Sequence, residues 1–135
     1  MGSKQHVIAN FYETRWKTVN DRGTEIQMGS GEGKSEPYDL FLGALSGCLY
    51  STFEAVLEKM QISVKGTHFD IHSEKRDNKV ATLKECHVDV TVIGAENEQK
   101  TKKAMEIATR YCSIYNTISQ IAEMSWEVSF ENSPT

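Results

Sequence analysis

The segment Pro37–Met60 limits the fold more than any other part of the chain. Its first half, Leu40-Phe41-Leu42-Gly43-Ala44-Leu45-Ser46-Gly47-Cys48-Leu49-Tyr50, is almost wholly apolar, and a helix apolar on every side is a buried one. Pro37 suits the first turn of such a helix, while Glu54, Glu58 and Lys59 mark a solvent face in its second half. The expected element is therefore a central pillar that emerges from the core as it proceeds, with Cys48 inside the molecule or inside an oligomer interface. Gly43 and Gly47 lie one turn apart, and each weakens a helix by roughly 1 kcal/mol relative to alanine. Either another backbone packs against them or they leave room beside the thiol for a small substrate.

The flanking sequence supplies strands and shorter helices. Three short strands are expected at the N-terminus, His6–Glu13, Arg15–Asn20 and Thr24–Met28, with Asp21-Arg22-Gly23 as a turn. From Ile62 to Ser73 the period changes to two, placing Phe69 and Ile71 on one face and His68, Asp70 and His72 on the other. A charged turn follows, and Thr82–Ile93 alternates again, with Cys86, Val88, Val90 and Val92 opposite His87, Asp89 and Thr91. These two strands form an antiparallel hairpin. Asn97 is the expected N-cap of a helix to Cys112, with Ala104, Met105, Ile107, Ala108, Tyr111 and Cys112 on its apolar stripe. Ser113 is expected to cap a further helix to about Glu123, and Trp126, Val128 and Phe130 alternate in a last strand. The class is α+β in one or two packed layers.

Bulk properties narrow the function. A length of 135 residues fits a single domain, 1–135, small enough for a dimer to help bury apolar surface. No apolar run is read as long enough to span a bilayer, so no membrane association is expected. The start Met1-Gly2-Ser3-Lys4-Gln5-His6 lacks the apolar core of a secretion signal, which places the chain in the cytoplasm. There thiols stay reduced, and an odd count of three cysteines speaks against a disulfide framework. A net charge of −4 without a basic run excludes a nucleic-acid partner.

Few residues are left to carry chemistry. Cys48 and Cys112 each face inward on their own helix and can meet in the fold, where they serve either as packing residues or as a redox pair. An attacking thiol works as the thiolate, and Cys48 in mid-helix gains nothing from a helix N-terminus, so a cation is needed. Arg15, beside Trp16 on the second strand, is the first candidate and Arg22 the alternative. Cys86 belongs to a valine-rich face and reads as packing. His68, Asp70, His72, His87 and Asp89 match no tight ligand spacing, so they are assigned to a solvated sheet face, with no metal and no cofactor expected. The same polar placement sets aside a cysteine hydrolase. Met28-Gly29-Ser30-Gly31-Glu32-Gly33-Lys34-Ser35 fails as a phosphate loop, because methionine replaces the first glycine and Glu32 would repel phosphate.

Pro37-Tyr38-Asp39-Leu40-Phe41-Leu42-Gly43-Ala44-Leu45-Ser46-Gly47-Cys48 resembles the OsmC/Ohr family of osmotically inducible and organic hydroperoxide resistance proteins, and Arg110-Tyr111-Cys112-Ser113-Ile114 resembles its second cysteine motif. The resemblance implies an OsmC-like fold of N-terminal strands, long central helix, hairpin, two helices and a final strand, in a homodimer interlocked around its central helices. It implies that Cys48 is peroxidatic and Cys112 resolving, in the reduction of organic hydroperoxides with electrons from a protein or small-molecule dithiol. Arg15 would stabilise the thiolate, and Tyr38, Asp39 and Phe41 would lie in the substrate pocket. Tyr38 stands where the peroxidase branch has glutamate, and Ser113 where proline is common. The alternative that this departure favours is a noncatalytic member binding a small apolar or thiol-bearing ligand at the dimer interface.

Overall fold

The structure, a computed structural model, describes residues 2–132. Its elements run β1 (Val7–Tyr12), β2 (Arg15–Asn20), β3 (Glu25–Met28), α1 (Pro37–Met60), β4 (Gly66–Lys75), β5 (Leu83–Ile93), α2 (Glu98–Tyr111), α3 (Ser113–Ser119) and β6 (Glu123–Glu131). The α+β class and the order of elements agree with the sequence reading. The chain forms two compact units, one ending at Gly43 and the other starting at Ala44, so the division falls within α1.

The first unit is an antiparallel meander in the order β1-β2-β3. Two turns close it. Glu13 adopts a left-handed conformation at φ 52 between β1 and β2, and Gly23, at φ 83, completes the Asp21-Arg22-Gly23 turn with no Cβ to strain it. Asn20 Oδ1 ties that turn by accepting from the Arg22 and Thr24 amides at 2.9 and 3.1 Å. Phe11 is paired with Trp16 in register, and their rings meet edge to face at 5.8 Å.

The second unit contains the core. Its sheet has the order β4-β5-β6, with β4 antiparallel and β6 parallel to β5. A parallel neighbour needs a crossover, and α2 with α3 provides it between β5 and β6. Register then aligns Ile71, Val88 and Trp126 across the strands, and next to them Phe69, Val90 and Val128. Cys86, Val88 and Val92 are fully buried, as are Ala104, Met105 and Ala108 of α2.

Several expectations are corrected. The first half of α1 is not buried all round: Leu45, Leu49, Phe53 and Leu57, four residues apart, form the one buried stripe, while Phe41 and Tyr50 are exposed. At 24 residues α1 is also long and apolar enough, by length and composition, to cross a bilayer, contrary to the shorter run read from sequence. β4 begins at Gly66 rather than Ile62 because the helix end uses the intervening residues: Gln61 is left-handed at φ 58, and the Ile62 amide turns back to Leu57 O at 3.1 Å. Gly94 closes the far end of the hairpin at φ 64, where a Cβ would come within 2.9 Å of the Lys65 side chain. Tyr111, assigned to the apolar stripe of α2, is 75% exposed. Asn97 does cap α2, its side chain accepting from the Lys100 amide at 2.9 Å.

Candidate functional site

Cys48 lies midway along α1, in the second unit, three residues after the buried Leu45 and one before the buried Leu49. Its side chain therefore sits at the margin of the buried stripe and is half-buried. Thr52 Oγ1 donates to the Cys48 carbonyl at 2.9 Å, one turn on. A Cβ built at Gly43 or Gly47 would meet nothing within 4 Å.

Cys112 arrives from the other direction. It is the residue where α2 ends and α3 begins, extended at φ −69 and ψ 116, with its amide closing α2 on Ala108 O. Its sulfur, not the Ser113 hydroxyl, caps α3 by accepting from the Tyr115 amide at 3.4 Å, and α3 stops at Ser119 rather than near Glu123. A thiolate or thiol sulfur can take the capping place of a serine oxygen because the requirement is an acceptor for an orphan amide. Asn116 fastens the same corner, its Nδ2 donating to Arg110 O and Cys112 O at 3.0 and 2.8 Å.

The two sulfurs meet. Cys112 Sγ donates to Cys48 Sγ at 3.2 Å, and both thiols are free. A disulfide requires about 2.05 Å, so a closing motion of about 1.2 Å would suffice once an oxidant removes two electrons and both thiol protons leave. The pair is asymmetric, since Cys48 reaches solvent and Cys112 is fully buried. Burial pushes the Cys112 thiol up to about 11, overcoming the opposing pull of the Tyr115 and Ile114 amides, and the neighbouring Cys48 adds to the rise. Cys112 therefore keeps its proton at neutral pH. Cys86, on β5, is fully buried and pushed up by desolvation. The Tyr115 phenol is raised too, chiefly by burial and then by the nearby Cys86 and Cys112.

One turn beyond Cys48, Thr52 begins a mostly apolar groove of about 440 Å³ between α1 and α2, lined also by Ala55, Val56, Lys59, Met60, Ile107 and Tyr111. The exposure of Tyr111 was not foreseen from sequence, where the 3.6-residue period placed it inward.

The remaining sequence candidates lie in the first unit. Arg15 opens β2, and its guanidinium stands over the Tyr12 ring at 6.0 Å from the centroid. Tyr38 and Phe41 pack edge to face at 5.5 Å. Asp39 Oδ2 accepts from the Glu36 amide at 2.8 Å, so its carboxylate serves the start of α1. Arg22 lies in the turn after β2.

The chain matches the sequence model of the family described as OsmC-like protein over residues 29–127. No curated protein sequence matches it. Among solved structures it is similar to an OsmC-like protein from Mycoplasma pneumoniae, at 16% identity, covering 96% of this chain and 99% of that one with a TM-score of 0.84. A hypothetical protein from Aquifex aeolicus VF5 is 22% identical over 96% and 99% of the two chains, with a TM-score of 0.79. An organic hydroperoxide resistance protein OsmC from Legionella pneumophila, also described as a predicted redox protein, is 15% identical over 94% and 97%, with a TM-score of 0.75.

Proposed function

The chain belongs to the OsmC-like protein family, and from that premise we propose that it is a thiol peroxidase that reduces organic hydroperoxides. The observation that carries this reading is the 3.2 Å approach of two free thiols of unequal exposure. Cys48 attacks as its thiolate, cleaving the O–O bond of ROOH. One oxygen stays on the sulfur as Cys48-SOH, and the other leaves as ROH after taking up a proton. The Cys112 thiol then attacks the Cys48 sulfur; the S–OH bond breaks, water leaves, and the Cys48–Cys112 disulfide forms. An external dithiol reduces that disulfide by exchange and leaves as its own disulfide, restoring both thiols.

The difference between the two cysteines supports this division of labour. A half-buried sulfur is open to the oxidant, while a buried and protonated one is protected until a sulfenic acid lies next to it. The apolar groove that begins at Thr52 suits an alkyl hydroperoxide better than hydrogen peroxide. By the motif resemblance, Arg15 is assigned to the Cys48 thiolate, Tyr38 to hydrogen bonding with the peroxide, and Phe41 and Asp39 to the substrate pocket. The active form is a homodimer in which the exposed part of α1 is covered by a second copy, working in the reducing cytoplasm.

Thiol counting tests the reading. Reduced protein is mixed with one equivalent of cumene hydroperoxide, and free thiols are counted after denaturation. The wild type should fall from three to one per chain within seconds, Cys48→Ser should lose none, and Cys112→Ser should lose one, which returns on reduction. Loss at the same slow rate in all three proteins would refute a peroxidatic pair.

A further inference from the structure

The outer face of the second sheet, away from the thiols, gathers metal-ligating side chains from three adjacent strands. From sequence His68, Asp70, His72, His87 and Asp89 belong to a solvated face, because they match no tight ligand spacing; Glu127 joins them only through the parallel pairing of β6 with β5. The register sets Asp70, Asp89 and Glu127 in one row across β4, β5 and β6, and His72, His87 and Ser125 in the next. Carboxylates directly opposite one another repel, so the first row gains from a cation. The second row supplies imidazoles beside it. Asp89 stands between the two, with Oδ1 at 3.0 Å from His87 Nε2 and Oδ2 at 4.0 Å from His72 Nε2, which also lies 3.2 Å from Asp70 Oδ1 and would turn from it to reach the ion. The other nitrogen of His87 is held by Ser125 Oγ at 2.6 Å, the kind of hydrogen bond that orients a ligating imidazole.

We propose that this face binds one divalent first-row transition ion of the zinc class, ligated by His87, Asp89 and Glu127, with His72 as the fourth donor. The donor atoms of the first three lie within 4.8 Å of one another. Ligands at about 2.0 to 2.2 Å around a tetrahedral zinc stand roughly 3.4 Å apart, so small rotations of these partly exposed side chains close the site. Two imidazoles among the donors favour zinc over magnesium or calcium, which take all-oxygen shells. The ion would tie β6 to β5 and, through His72, to β4. The site shares no residue with the thiol pair and stands whether or not the peroxidase reading does.

Zinc is titrated calorimetrically into the full chain carrying Cys48→Ser and Cys112→Ser, which removes the thiol pair as a competing zinc ligand. One Zn²⁺ per chain is expected, with affinity reduced roughly tenfold or more by His87→Ala, Asp89→Asn or Glu127→Gln, and no displacement by millimolar Mg²⁺. Wild-type protein is probed in parallel with diethylpyrocarbonate, the modified histidines being located by mass spectrometry. Zn²⁺ should protect His72 and His87 but not His6 or His68, a readout that does not depend on any variant folding. No zinc uptake once Cys48 and Cys112 are replaced, undiminished uptake in the sheet variants, Mg²⁺ displacement, or equal labelling of all four histidines would each overturn the proposal.

Discussion

The described residues form two three-stranded sheets, and they differ in what happens to their apolar residues. In the first, Val7, Phe11 and Tyr12 are each more than 60% exposed, and Trp16 is 44% exposed. In the second, Cys86, Val88 and Val92 are fully buried. Both sequences alternate or cluster β-branched and aromatic residues, so both form strands. The second sheet shares its unit with a crossover of two helices, which must return across one face of the sheet. The first is a plain meander closed by two tight turns, and a meander brings no covering layer with it. Strand formation and core formation are thus separate events, and an apolar strand without a local cover is one that needs a partner surface.

That contrast can be broken or sharpened by measurement. The largest effect is expected in the second unit: Phe53→Ala, which empties a fully buried site, should destabilise the protein by about 3 to 5 kcal/mol in urea denaturation. A loss below about 1 kcal/mol would mean that the core lies elsewhere. Next comes alkaline pH. The folded Cys112 thiol is raised from 9.0 to about 11, so the unfolded chain releases this proton first. Its contribution is complete below pH 9 and is lost as pH rises from 9 towards 11, at about 1.4 kcal/mol per pH unit within that window. Chemical denaturation of the reduced protein across this range should show that slope, and Cys112→Ser should flatten it.

The first sheet responds in another observable. Ile8→Ser combined with Phe11→Ser removes exposed apolar surface, so the expected change is in self-association, weakened tenfold or more, about 1.4 kcal/mol, by sedimentation equilibrium. An unchanged association constant would show that this sheet is not what a second copy covers. The smallest effect is local. Asn97→Ala deletes the cap of α2 and should cost about 1 kcal/mol in thermal unfolding, a second-unit change that leaves association untouched.

The residues show why some of this was readable in advance and some was not. The alternation of Cys86, Val88, Val90 and Val92 against His87, Asp89 and Thr91 appears in the sheet as expected, because a period of two has one structural solution. Asn97 capped its helix because capping is settled within three residues. The same local rules failed where a distant group intervened. Cys112 displaced Ser113 as the cap of α3 once the chain turned its sulfur towards the Tyr115 amide. Ile62 read as strand, yet its amide was drawn back to Leu57 to finish α1. For the site, the sequence named both cysteines, but their unequal exposure follows from where two residues 64 positions apart come together.

Sequence by itself determined the elements, the α+β class, the family and the identity of the two thiols, since each rests on short-range periodicity or on a local motif. Only the tertiary structure decided that the sulfurs stand 3.2 Å apart, that Cys112 is the buried partner, and that β6 lies parallel to β5 and brings Glu127 level with Asp89. The physical reason is the range of the forces involved: dihedral preference and side-chain period act over a few residues, whereas burial and strand order arise from surfaces far apart along the chain excluding water together.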